Sequence, residues 1–168
     1  MAEARKNSLS TWLQNIYRSH KMNPLLIAPC GMNCGICLAY LRDKNKCPGC
    51  RSKLNKLKSK SCARCVIARC PKLKKCGYKY CFSCGIMPCA RLKHLDKRYR
   101  TNYGMSMLDN LAYIKRSGIK SFVKKEIKRW ACKKCGGTVC VHRGYCFACG
   151  KRSKHYLLLK RLGGIIVS

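Results

Sequence analysis

Acidic residues are nearly missing from this chain. Only five occur, Glu3, Asp43, Asp96, Asp109 and Glu126, against 38 lysines and arginines, for a formal charge of +33. Five scattered carboxylates offer no pair for general acid–base work. The four histidines, His20, His94, His142 and His155, lie in basic surroundings, with Asp96 beside His94 as the one acid close to any of them. No phosphate-binding glycine loop occurs. These absences argue against ordinary catalysis. An apolar run long enough to span a bilayer is also missing. Residues 1–21 hold no uninterrupted apolar segment with a small-residue cleavage site, so a secretory signal is not expected. The expected compartment is the cytoplasm, where thiols stay reduced.

Large aliphatic and aromatic side chains are thinly spread, which leaves a modest apolar core for 168 residues. Folds short of core are stapled by disulfides or metals, and a reducing compartment favours metals. Cysteine is the residue in surplus. Of the 17 cysteines, twelve fall in one stretch: Cys30, Cys34, Cys37, Cys47, Cys50, Cys62, Cys65, Cys70, Cys76, Cys81, Cys84 and Cys89. Four C-x-x-C pairs lie there, Cys34/Cys37, Cys47/Cys50, Cys62/Cys65 and Cys81/Cys84, and two more follow at Cys132/Cys135 and Cys146/Cys149. A C-x-x-C turn aims two thiolates at one point, so the pattern predicts a multi-metal scaffold.

The clearest motif is Cys132-Lys-Lys-Cys135-Gly-Gly with Cys146-Phe-Ala-Cys149-Gly. Two knuckles, each followed by glycine, match a zinc ribbon, and Thr138, Val139 and Val141 between them alternate like a strand. Cys140 and His142 read as packing or contact residues. In the N-terminal half, one arrangement pairs Cys34/Cys37 with Cys47/Cys50 and Cys62/Cys65 with Cys81/Cys84. Cys30, Cys70, Cys76 and Cys89 then form a fourth site or exchange into the first two. Three or four Zn2+ sites follow. An iron–sulfur cluster in the N-terminal half stays open, because spacing does not exclude it. The C-x3-C-x2-C run of Cys30, Cys34 and Cys37 is similar to the cluster motif of radical S-adenosylmethionine enzymes, but the partial barrel those enzymes need does not fit this length and pattern.

Along the chain, residues 1–22 read as an amphipathic helix, residues 23–104 as a cysteine-rich multi-metal module, 105–130 as a helical pair, and 131–168 as the zinc ribbon with a basic and apolar tail. Proline at both ends of 24–29 predicts an extended connector. A short helix should follow Cys37, and another should run from Ala90 to Arg100. Ser106 is a helix N-cap, Gly118 a stop, and Ser121 the opening of a second helix with Phe122, Val123, Ile127 and Trp130 on its apolar stripe. The expected fold class is a small α+β metal-stapled protein.

The motifs Cys30-Gly31, Cys34-Gly35-x-Cys37, Cys47-Pro-Gly-Cys50, Tyr80-Cys81-x-x-Cys84, Met87-Pro88-Cys89-Ala-Arg91-Leu92, Ile114-Lys-Arg-Ser-Gly118, Trp130-x-Cys132-x-x-Cys135-Gly-Gly137 and Cys146-x-x-Cys149-Gly150 occur in that order. In this the chain resembles a prokaryotic cysteine-rich family known only as a domain of unknown function. The resemblance covers about three quarters of the chain and implies metal-binding cysteines, with no activity attached.

Each four-cysteine site with a divalent metal carries about −2, so three or four sites leave roughly +25 to +27. A polycation of this kind repels itself unless a polyanion neutralises it. The expectation is a non-enzymatic zinc-binding protein on RNA, in particular rRNA in a ribosomal subunit. DNA binding and an iron–sulfur redox or accessory protein docking on an acidic partner are the alternatives; no membrane and no small-molecule substrate are expected. Candidate contacts are Arg51, Lys53, Lys56, Lys58, Lys60, Lys72, Lys74, Lys75, Arg98 and Arg100 in the first half. Lys124, Lys125, Lys128, Arg129, Lys133, Lys134, Arg143, Lys151, Arg152 and Lys154 complete the set. Tyr78, Tyr80, Tyr145 and Phe147 are candidates for stacking on unpaired bases.

Overall fold

A computed structural model describes residues 23–153 of the chain. The expected helix at 1–22, Lys154 and the tail lie outside the described residues. Regular structure is mostly helical: α1 (Leu38–Leu41), α2 (Lys60–Ala63), α3 (Pro71–Lys75), α4 (Ala90–Tyr103) and α5 (Met107–Trp130), with short 3-10 turns between the cysteines. The β component expected from sequence is reduced, among the described residues, to isolated antiparallel bridges at Ile27 and Asn33, Ala131 and Thr138, Val139 and Cys146, and Tyr145 and Arg152. The reason is local: the knuckles spend their N–H groups inside their own turns, so no ladder extends.

The connector after Asn23 also differs from expectation. Pro24–Leu26 forms a 3-10 turn whose first N–H groups are served by Asn23, with the Leu25 N–H donating to its Oδ1 at 2.8 Å. Proline suits the first position of such a turn, where its missing N–H costs nothing.

Helices α4 and α5 position everything else. Helix α4 runs to Tyr103, three residues beyond the expected end at Arg100, and Gly104 closes it with a left-handed φ of 59°. Ser106 then caps α5, its Oγ accepting the Asp109 N–H at 3.0 Å. Asp96, 5 % exposed, clasps the turn by accepting from Ser106 Oγ (2.8 Å), the Leu108 N–H (3.0 Å) and Arg100 Nε (2.7 Å). Burial alone would raise this carboxyl, but those donors outweigh it and hold it below the usual carboxylate range. Inside α5, Gly118 breaks the helical dihedrals at φ 79°, ψ 161°. The stop expected at Gly118 is thus a kink, and the second half resumes at once rather than at Ser121.

One core joins the cysteine-rich half to the rest. Leu26, Ile36, Leu92, Met105, Met107 and Leu111 are buried with Cys30, Cys34 and Cys81 from one side and Cys132, Val139, Val141 and Cys146 from the other. Ile27, Ile114, Phe122, Val123 and Ile127 form a second cluster along α5. The first turn of α5 rests directly on Gly31, whose carbonyl accepts from Asn110 Nδ2 at 3.0 Å. No helix among the described residues is long and apolar enough to cross a membrane.

His142 pins the two cysteine-bearing parts together. The Val141 N–H donates to the Ile36 carbonyl (3.0 Å), and the Leu38 N–H donates to His142 Nδ1 (3.2 Å). That leaves the proton on Nε2, which faces Tyr99 Oη at 3.0 Å. Burial, helped by Arg98 and Arg143, lowers the ring to about 4, so it stays neutral. Cys140, 0 % exposed, and His142 are packing residues here.

Candidate metal centre and basic groove

Cys132, Cys135, Cys146 and Cys149 converge so that all four sulfurs lie within 4.8 Å of one another. Cys132 Sγ is 3.7 Å from Cys149 Sγ, and Cys135 Sγ is 3.6 Å from Cys146 Sγ. Four sulfurs about 2.3 Å from a tetrahedral ion would stand about 3.8 Å apart, so the arrangement fits a metal ion bound by four thiolates.

The two knuckles are built alike. In the first, the Gly136 N–H donates to the Cys132 carbonyl (2.8 Å) and the Cys132 N–H to the Gly137 carbonyl (2.7 Å). In the second, the Gly150 N–H donates to Cys146 (2.9 Å) and the Cys146 N–H to Lys151 (2.9 Å). Gly136 and Gly150 take φ of 74° and 68°, which glycine adopts without strain. Gly137 is required for a different reason. A Cβ there would stand 2.8 Å from Ala148 Cβ and 3.0 Å from Cys146 Sγ. The Gly137 N–H also faces Cys135 Sγ at 3.4 Å. The Lys151 N–H, followed by the neighbouring thiols, holds Cys149 down to about 7, whereas burial pushes Cys146 up to about 12.

In the N-terminal half the sulfurs face one another more loosely. The Cys50 N–H donates to Cys34 Sγ at 3.3 Å. Burial pushes Cys50 up to about 11, with Cys65 and Cys62 adding to it, and Cys37 up to about 11, with Cys62 adding to it. Burial likewise raises Cys30 to about 12, with Cys50, Cys65 and Cys81 adding to it. Cys47 is buried, and Cys76 is exposed at the end of α3. Cys62 and Cys65 are both half-buried.

The lysines and arginines are distributed widely. Lys53, Lys56, Lys60, Lys72, Lys74, Lys75, Arg98, Lys124, Lys125, Lys128 and Arg143 are exposed, and Lys58 is half-buried. Three arginines make contacts within the protein, Arg51, Arg100 and Arg129, the last donating to the Gly104 carbonyl at 3.2 Å. Arg51 donates to the carbonyls of Ile27 and Lys79, each at 2.6 Å, and lies over the Tyr80 ring. Arg100 pairs with Asp96 and Asp109. Among the aromatic candidates, Tyr80 stacks on Phe82 and Tyr145 on Phe147, while Tyr78 is exposed.

Arg129 and the four other cations Lys133, Lys134, Lys151 and Arg152 come together. They rim a cavity of about 480 Å³ beside the four-cysteine centre, and no acid lines it. Its apolar wall is Tyr103, Trp130, Val139 and Val141, from α4, α5 and the segment between the knuckles. These wall residues carry no mark of a site in the sequence, because they are far apart along the chain and each reads singly as core.

Compared with known proteins, the chain matches no family model, no curated protein and no solved structure. Its cysteine content and the four-sulfur cluster are those of a cysteine-rich metal-binding domain.

Proposed function

We propose that this chain is a non-enzymatic RNA-binding protein whose fold is held by zinc, acting in the cytoplasm on rRNA as a ribosomal or ribosome-associated protein. In this reading Cys132, Cys135, Cys146 and Cys149 form a zinc ribbon and the N-terminal cysteines a multi-zinc module, in keeping with the motif order of the cysteine-rich family it resembles. Zinc suits four convergent thiolates, and a closed site of that kind has a structural role with no open position for catalysis.

The observation that carries the reading is the groove rimmed by Arg129, Lys133, Lys134, Lys151 and Arg152 over an apolar wall containing Trp130 and Tyr103. Cations fix a phosphate backbone, and an aromatic wall accepts an unpaired base. A cavity of about 480 Å³ is of the size that takes a base with its sugar. Scarcity of acids adds to this: of the four in the described residues, Asp96 and Glu126 are buried, so little negative charge opposes an approaching polyanion.

The test is the salt dependence of binding to single-stranded RNA, with double-stranded RNA and DNA of the same length alongside. Each phosphate neutralised contributes a log–log slope of about −0.7 for single strands. The quadruple variant Lys133→Gln, Lys134→Gln, Lys151→Gln, Arg152→Gln should flatten the slope by up to about 2.8. A flat wild-type slope overturns the reading, and equal affinity for DNA moves the partner to DNA. Iron and sulfide in the purified chain would favour the redox alternative.

A further inference from the structure

The fold gives the N-terminal cysteines a partition that their spacing does not. A small cavity of about 40 Å³ is lined by Cys70, Cys81, Cys84 and Cys89. Buried Ile67, Leu73 and Leu92 wall it on the inner side, and exposed Val66 and Ile86 form its edge. The volume exceeds the roughly 10–15 Å³ that one water-sized occupant needs.

The four cysteines reach this point from three separate pieces of backbone. Cys81 and Cys84 flank the 3-10 turn Cys81–Ser83, closed by the Cys84 N–H donating to Cys81 O at 3.0 Å. Cys89 is the N-cap residue of α4, a helix of 14 residues whose N-terminal partial charge favours a thiolate. Cys70 immediately precedes α3.

We propose that Cys70, Cys81, Cys84 and Cys89 form a four-sulfur site for a thiophilic divalent cation, separate from the Cys132/Cys135/Cys146/Cys149 centre. Cys62 and Cys65 then belong with the sulfurs of Cys30, Cys34, Cys37, Cys47 and Cys50. The assignment rests on the reading that the N-terminal half binds zinc. Binding releases four protons and leaves a net −2 at the centre. Among the described residues only the C-terminal quartet brings three or more such ligand atoms within 4.8 Å of one another, so binding at this second set requires its sulfurs to close on the ion. Cys70 is the ligand that moves, since it leads into the five-residue α3, where every residue but Leu73 is exposed.

The test uses the full chain loaded with cadmium-113, whose NMR resonances report each site separately, and zinc counting by native mass spectrometry. Cys70→Ser and Cys89→Ser should shift the same cadmium resonance, and each variant should lose at most the same one zinc. Cys65→Ser should shift a different resonance, and Cys149→Ser a third. Cys70 is half-buried, so its serine variant tests the site without emptying a core position. If Cys65→Ser and Cys89→Ser move one resonance while Cys70→Ser moves none, the assignment is overturned and the pairing suggested by spacing replaces it. Iron with sulfide in place of N-terminal zinc, with the Cys149→Ser resonance intact, would instead sink the zinc reading beneath it.

Discussion

Glu126 shows how a single rare residue is spent. It is 0 % exposed, in a chain with only five acids. Its Oε2 accepts from Asn33 Nδ2 (3.2 Å), in the first cysteine loop, and from Trp130 Nε1 (3.0 Å), at the entrance to the C-terminal knuckles. Its Oε1 has no hydrogen-bond partner and lies 3.8 Å from Arg129. Burial dominates the nearby donors and cations and raises the carboxyl above the ordinary range. A carboxyl of this kind contributes its stability in full below the unfolded pKa and loses it as pH rises through the folded one. Glu126→Gln should remove that dependence. Denaturant melts of both proteins across pH should show the variant gaining on the wild type by up to about 1.4 kcal/mol per pH unit in that window. Metal effects common to both cancel in the difference. A difference that stays constant with pH would refute the account.

At the scale of the element, the paired knuckles work because glycine lets them close on each other. Gly137→Ala places a methyl against Ala148 and the Cys146 sulfur, and overpacking of this sort costs about 1–3 kcal/mol. Expressed as metal affinity, that is a loss of about 5- to 150-fold, measurable by competing a chelator for the metal at the Cys132/Cys135/Cys146/Cys149 centre. Gly85→Ala is the control, because nothing lies within 4 Å of the added carbon. Equal affinities in the two variants would show that the knuckle approach does not limit binding.

For the whole molecule the balance lies between charge and staples. A formal +33 repels itself, and the core in which Leu92, Met105 and Leu111 sit is shared with cysteines from both halves. A structural zinc site is worth about 10–16 kcal/mol in peptides, large against the 5–15 kcal/mol of a typical native protein. Removing metal with a chelator under reducing conditions should therefore abolish the cooperative melt. Far-UV circular dichroism should show loss of α4 and α5 together, since both pack on cysteine-bearing loops. A metal-free chain that melts at the same temperature with the same cooperativity would show that the apolar core suffices.

Much of this was legible in local sequence. The Ser106 cap, the Gly118 break and the stripe of Phe122, Val123, Ile127 and Trp130 follow from short-range chemistry that a sequence carries openly. The two C-terminal knuckles do too, because ten residues of separation leave them few other partners. What tertiary structure decided is whatever depends on distant segments meeting. Spacing makes Cys62/Cys65 a partner for Cys81/Cys84, whereas packing opens a cavity that Cys70 and Cys89 share with Cys81 and Cys84. Trp130 and Tyr103 become the wall of a basic groove only once α4 and α5 lie beside the knuckles. Thiolates at equal sequence distance are chemically equivalent, so composition sets how many metals the chain can hold, while the path of the backbone sets which sulfurs share one.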